Sequence, residues 1–308
     1  MNKILKWIKR ILIAIIGLIT VLMIGLYITF FFWKKAAIQN LPQNSKVITT
    51  SEGPVEYTLK GNSDRYMLMI HGSPGSVHVA GGESFLDKGF SVLAVSRPGY
   101  YKTPLSSGGT PKDEAALYKS LLDELKIDSI YVKGISGGGP PSIQFAIDYP
   151  DRCAGLILSA AVSEKMEDKS DDNGLLNSFF QSEFGMWIGI QIAKTQMSEE
   201  EEEMMDWFVE RGLFPFASID DGLENDDNEV LHLKDLEMEK IMSPTILFHG
   251  DKDDNVPYSH SQNAAKRIPN STLFEMKGKD HYVFFTSYSD TINTEIMQFI
   301  DNIETHEK

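Results

Sequence analysis

The sequence predicts an α/β domain built on a mostly parallel sheet with helices on both faces. Short β-branched and apolar runs alternate with amphipathic helical patterns from about residue 52 onward. Those runs are apolar almost without interruption, as in strands buried on both faces. One stretch, 163–240, breaks the alternation with helices and no convincing strand, which marks a helical insertion. The 308 residues and 42% apolar content suffice for one large domain with an accessory element and a sizeable core. No repeat at a fixed period is present.

The first 35 residues read separately. Ile11 to Trp33 is an uncharged, almost wholly apolar run of 23 residues. At 1.5 Å per residue, such a helix crosses a hydrocarbon core of roughly 30 Å. A secretory signal has a shorter apolar region ending in small residues. Here the run ends Phe30-Phe31-Phe32-Trp33-Lys34-Lys35, an aromatic and basic interface anchor. Residues 1–35 are therefore expected to be an uncleaved membrane anchor, with the span at about 11–33. Lys3, Lys6, Lys9 and Arg10 precede the span and Lys34 and Lys35 follow it. This bias predicts a cytoplasmic N-terminus, a single-pass cell-membrane protein and an extracytoplasmic domain.

Six of the 29 basic residues lie in this segment with no acidic residue, so the remainder carries 23 basic against 44 acidic residues. A net charge of −21 there repels nucleic acid, and no basic stripe contradicts it. The single cysteine, Cys153, excludes an intrachain disulfide.

Residues 36–51 read as a polar connector, and 52–308 as the folded domain. Its strand candidates are Val55–Leu59, Tyr66–Ile70, Ser91–Val95, Ile130–Val132, Leu156–Ser159, Thr245–Phe248 and Thr272–Glu275. Between them, Pro111–Leu125 keeps helical spacing through Ala115, Leu117, Leu121, Leu122 and Leu125. Within the insertion, Gly174–Thr195 is rich in bulky apolar residues, including Leu175, Leu176, Phe180, Phe184 and Trp187. Ser198 then precedes five glutamates, with Glu201 three positions on. This is a capping box and a solvated first turn rather than a metal site.

The chemistry-bearing residues cluster where strands end. Gly134-Ile135-Ser136-Gly137-Gly138 follows the strand Ile130–Val132 and precedes a helical run, Ser142–Ile147. G-x-S-x-G in a strand–turn–helix setting holds the serine in a strained conformation, with its hydroxyl proud of the sheet. A phosphate-binding loop is the weaker reading, because Gly134–Gly139 lacks the lysine of a P-loop and does not match G-x-G-x-x-G.

Upstream, His71-Gly72-Ser73-Pro74-Gly75 ends the strand Tyr66–Ile70. Acyl transfer needs two backbone donors aimed at a developing oxyanion. The N–H of Gly137 supplies one. Pro74 has no N–H, so Ser73 N–H is the natural second. His71 reads as a structural residue that pins this loop.

Downstream, His249-Gly250-Asp251-Lys252-Asp253-Asp254-Asn255-Val256-Pro257 offers three aspartates to orient a base histidine. As a calcium loop it fails, with Val256 at the glycine position and Gln262 at the glutamate position. The last strand runs into Gly278-Lys279-Asp280-His281-Tyr282, so only His281 among seven histidines sits after a final strand.

These segments, with Ser96-Arg97-Pro98-Gly99-Tyr100, resemble the α/β-hydrolase superfamily over about residues 52–304. The resemblance implies the α/β-hydrolase fold with a helical cap at about 163–240, inserted after the sixth strand. It also implies a triad in the chain order Ser136, Asp, His281, and the family's spacing after the glycine selects Asp253. A serine nucleophile separates the chain from relatives that use aspartate. The expected activity is hydrolysis of an ester, thioester or amide through an acyl-enzyme on Ser136, with Ser73 and Gly137 as the oxyanion hole. No cofactor or metal is called for, and the apolar insertion and anchor suggest a hydrophobic, lipid-derived small-molecule substrate. Rival expectations are a cofactor-free haloperoxidase or perhydrolase, an aminopeptidase-like relative, and a catalytically silent membrane-bound scaffold.

Overall fold

The computed structural model describes residues 2–167, 179, 182–286 and 288–306. Eight strands form one sheet: β1 Lys46–Thr50, β2 Gly53–Lys60, β3 Tyr66–Ile70, β4 Ser91–Val95, β5 Ile130–Ile135, β6 Cys153–Ser159, β7 Thr245–Gly250 and β8 Ser271–Met276. Their order is β1-β2-β4-β3-β5-β6-β7-β8. β2 runs antiparallel to both of its neighbours, and every other pairing is parallel.

The central strands are apolar because both faces are covered. Met67, Leu68, Met69 and Ile70 on β3 are all fully buried. Each such side chain contributes roughly 1.5–3 kcal/mol relative to exposure. On one face lie α3 Pro111–Leu125, α4 Gly139–Asp148 and α8 Ser259–Arg267, packed over Leu68, Ile70, Val132 and Leu156. On the other lie the short α2 Glu83–Leu86 and α9 Ser289–His306. α9 places Ile292, Ile296, Ile300 and Ile303 against Met67, Met69, Tyr131 and Ile157, a stripe at helical spacing. α3 occupies the expected bounds because its signals are local. The Thr110 side chain accepts the N–H of Asp113, Pro111 opens the helix, and Lys126 ends it in the left-handed conformation.

α1 runs without a break from Asn2 to Asn40, through the expected span and into the first residues read as connector. One expectation about this segment needs correction. Lys46–Thr50, placed in the connector, forms β1 at the sheet edge. Its sequence KVITT is short and its side chains mostly exposed, as edge strands tend to be, so it carries no apolar run to read.

Among the described residues of 163–240 there is no strand. Three α-helices lie among those described residues: α5 Glu183–Lys194, α6 Glu199–Phe208 and α7 Asp220–His232. Leu175, Leu176 and Phe180 of the expected apolar stretch lie outside the described residues. The insertion divides between two compact units. α5 groups with α1: Phe184 and Trp187 meet Tyr27, Phe30 and Trp33 with ring centroids 5.2–6.2 Å apart, and Lys34 pairs with Glu183. α6 and α7 belong to the unit that holds the sheet.

Candidate active site

β5 ends at Ile135, and the chain turns within three residues into α4. Ser136 occupies that turn with φ +50°, a left-handed conformation that costs a non-glycine residue on the order of 1–3 kcal/mol. Packing imposes it. A Cβ at Gly138 would lie 2.6 Å from the carbonyl oxygens of both Ile70 and His71, and one at Gly134 would lie 2.2 Å from Ser142 Oγ. The turn is thus wedged between β3 and α4, and Ser136 is left half-buried at the rim.

The chain after β8 brings His281 to it. His281 Nε2 lies 3.1 Å from Ser136 Oγ, and Nδ1 lies 2.7 Å from Asp253 Oδ2. With Nδ1–H donating to the carboxylate, Nε2 is free to accept the serine proton. Asp253 is fixed by the turn after β7, where its Oδ1 accepts the N–H groups of Asn255 and Val256 at 2.9 and 2.8 Å. Burial opposes its charge. The hydrogen bonds from His249 and His281 outweigh that and hold its carboxyl well below the usual range. Of the other two aspartates offered by the sequence, Asp254 is exposed and Asp251 accepts the N–H of Gly278.

His249, to which sequence reasoning gave no role, is a second imidazole on Asp253. Its Nε2 lies 3.1 Å from Asp253 Oδ2 and 3.0 Å from the Val256 carbonyl, and its Nδ1 lies 2.6 Å from Ser261 Oγ. Two acceptors at Nε2 require the proton there, so Nδ1 accepts from the serine hydroxyl.

Ser73 and Gly137 lie side by side, since a Cβ at Gly137 would be 2.7 Å from Ser73 Oγ. Among the described residues, Ser73 N–H has no acceptor. Gly137 stands in the first turn after β5, where N–H groups lack intrahelical partners. His71 pins the loop from below. Its Nε2 accepts the N–H of Arg97 at 3.0 Å and its Nδ1 donates to the Gly72 carbonyl at 2.6 Å. Burial, reinforced by the Arg97 charge, lowers its pKa to about 3, so the ring is neutral.

Beneath this loop lies a buried ionic network. Arg97 donates to both oxygens of Glu114, at 2.9 and 3.1 Å, and both of Asp226, at 2.6 and 2.8 Å. Asp226 also accepts the hydroxyls of Tyr100, at 2.6 Å, and of Ser73. Glu114 accepts the Tyr118 hydroxyl at 2.6 Å, and burial pushes its carboxyl up despite Arg97. Asp226 comes from α7, so the network joins the insertion to the loop that carries Ser73. A cavity of about 330 Å³ opens over Ser136, Gly137 and His281, walled by Val79, Val162, Phe208 and Val230.

The sequence profile of the α/β hydrolase fold matches residues 66–288. The chain belongs to the α/β-hydrolase family. Its strand order and the serine turn after β5 fit that membership. Among curated proteins it is similar to the uncharacterized hydrolase YcgS of Bacillus subtilis (strain 168), 24% identical over 83% of this chain and 98% of the relative. It is also similar to 2-hydroxy-6-oxononadienedioate/2-hydroxy-6-oxononatrienedioate hydrolase 1 of Pseudomonas putida, 24% identical over 84% of this chain and 97% of that one. Among solved structures, an α/β hydrolase fold protein from Nakamurella multipartita superposes with TM-score 0.71 and 27% identity, covering 83% of this chain and 98% of that one. The enol-lactonase from Burkholderia xenovorans LB400 shares the fold at TM-score 0.65 and 17% identity, covering 83% of this chain and all of that one.

Proposed function

We propose that the chain is a serine hydrolase that cleaves a small ester, thioester or amide through an acyl-enzyme on Ser136. The observation that carries this reading is the unbroken line Ser136–His281–Asp253, with contacts of 3.1 and 2.7 Å. His281 Nε2 takes the Ser136 proton as Oγ attacks the carbonyl, and Asp253 stabilises the imidazolium that forms. Ser73 and Gly137 N–H groups receive the oxyanion. The proton on His281 passes to the departing alkoxide, thiolate or amine. Water then attacks the acyl-enzyme with His281 again as base, releasing the acid and restoring Ser136.

α6 and α7 act as the cap over this chemistry, and their apolar residues with Val79 and Val162 favour an apolar acyl group. A volume of about 330 Å³ stands at the small end for ligand sites. It suits a short acyl group better than a long lipid chain. Residues 1–35 are the proposed anchor, supported by a helix that is long and apolar enough to cross a membrane, with a mean hydropathy of 2.9 over its most apolar 18 residues. The basic residues before the span support a cell-membrane location with the sheet unit outside the cytoplasm.

Stopped-flow hydrolysis of p-nitrophenyl acetate by the full chain in detergent tests the covalent step. The expected result is a burst of one p-nitrophenolate per chain, abolished in Ser136→Ala. Turnover undiminished in that variant excludes the mechanism.

A further inference from the structure

Three residues before Ser136, β5 carries a lysine that the mechanism does not use. Strand alternation turns Lys133 to the same face as Tyr131, toward α2 and α9. The residue is only 8% exposed, and its Nζ lies 5.9 Å from the Phe85 ring centroid. Among the described residues, nothing accepts a hydrogen bond from Nζ or pairs with its charge. Burial alone lowers its pKa, to about 8, and no nearby carboxylate holds it up. At neutral pH it is therefore mostly a cation without a counter-ion, on a face otherwise filled by Met67, Met69 and Ile157. Such a charge is costly unless something pairs with it.

The space in front of it is a cavity of about 300 Å³, separate from the one over Ser136. The two cavities share Val79 and Ile135 in their walls, and Ile135 is the residue next to Ser136. Ser289 and Asn293, from the first turns of α9, line the far side. Glu83 and Asp290 also border the cavity. Glu83 is committed to Lys60 at 2.9 Å, with its side chain 61% exposed, and Asp290 is exposed. Neither reaches Lys133.

We infer that this second cavity binds the distal carboxylate of the substrate, held by Lys133 Nζ at the far end of a short acyl chain that passes between Val79 and Ile135. A single ammonium matches a monoanion. A phosphate, with up to two charges and three acceptor oxygens, calls for more donors than one lysine gives. The inference rests on Ser136 as the nucleophile, and it gives that site a substrate class: esters or thioesters of short dicarboxylic acids.

The test compares p-nitrophenyl hydrogen adipate with its methyl-capped ester of equal length, using the full chain in detergent and Lys133→Met. The wild type is expected to prefer the acid. In K133M the ratio of kcat/KM between acid and capped ester falls at least tenfold, mostly through KM. An unchanged ratio overturns the inference. A second arm does not depend on hydrolysis: calorimetric titration of adipate into Ser136→Ala at pH 7 gives binding, which is lost when K133M is added. If no ester turns over but this binding appears, the Ser136 reading fails and the carboxylate site stands. If esters turn over but adipate does not bind, the reverse holds. Removing an unpaired buried charge also predicts a higher Tm for ligand-free K133M, which confirms that the variant folds.

Discussion

At the scale of single residues, what distinguishes the site is how little each side chain is free to do. Ser136 is held at φ +50° by backbone contacts, and His281 is oriented by a carboxylate that four N–H groups surround. Asp253→Asn keeps the size but donates where it should accept, favouring the wrong tautomer of His281. By analogy with the serine-protease triad, kcat is expected to fall about 10³–10⁴-fold, with KM little changed in ester kinetics. A fall below tenfold would mean that Asp253 does not set the tautomer. Ser136 and His281 were legible in the sequence because each stands at a strand end in a local motif. Asp253 needed the family's spacing to be chosen from three aspartates, and only the hydrogen bonds explain the choice physically. Lys133 was not legible. The strand candidate stopped at Val132 because Lys133 and Gly134 interrupt the apolar run, while pairing with β6 carries β5 on to Ile135.

At the scale of elements, α7 makes its ionic tie to the loop after β4 through one carboxylate, beside the bonds from Gly222 N–H to the Gly99 carbonyl and from Asn225 to the Gly109 carbonyl. Asp226 lies among the acidic residues of α7, and its partner Arg97 is 129 residues away in sequence. No local pattern could have paired them. Asp226→Ala leaves Arg97 with Glu114 alone and removes the acceptor of Tyr100 and Ser73. Breaking a buried ionic group in this way costs about 3–5 kcal/mol. Urea unfolding of the full chain in detergent is expected to show that loss, and a change under 1 kcal/mol would place the tie elsewhere. The long, strongly patterned elements were readable: β3, β4 and α3 fall at their expected bounds. β1 was not, because KVITT gains its order from pairing with β2 and from Ile48 against the core, neither of which is local in sequence.

At the scale of the whole molecule, the histidines make acid the weak side. Burial and the Arg97 charge hold His71 near 3, and burial holds His260 near 4. Unfolded, both take a proton near the ordinary value of about 6.5. The unfolded chain then binds more protons than the folded one, so stability falls as pH drops below about 6.5, by up to roughly 1.4 kcal/mol per pH unit for each ring. Asp253 adds to the loss below about pH 4, because its folded pKa is depressed. Glu114, pushed up, works the other way. Thermal unfolding between pH 7 and 4.5 is expected to show Tm falling steadily, with a shallower slope in His260→Asn. A flat profile would mean that these rings are charged in the fold.

The central claim is that Ser136 is an activated nucleophile. Its most direct measurement is intact-mass analysis of the full chain in detergent after a fluorophosphonate probe, beside Ser136→Ala and His281→Ala. The account predicts one adduct on the wild type, none on Ser136→Ala and labelling slowed at least a hundredfold on His281→Ala. Equal labelling of Ser136→Ala, or a folded wild type that takes no probe, would contradict it.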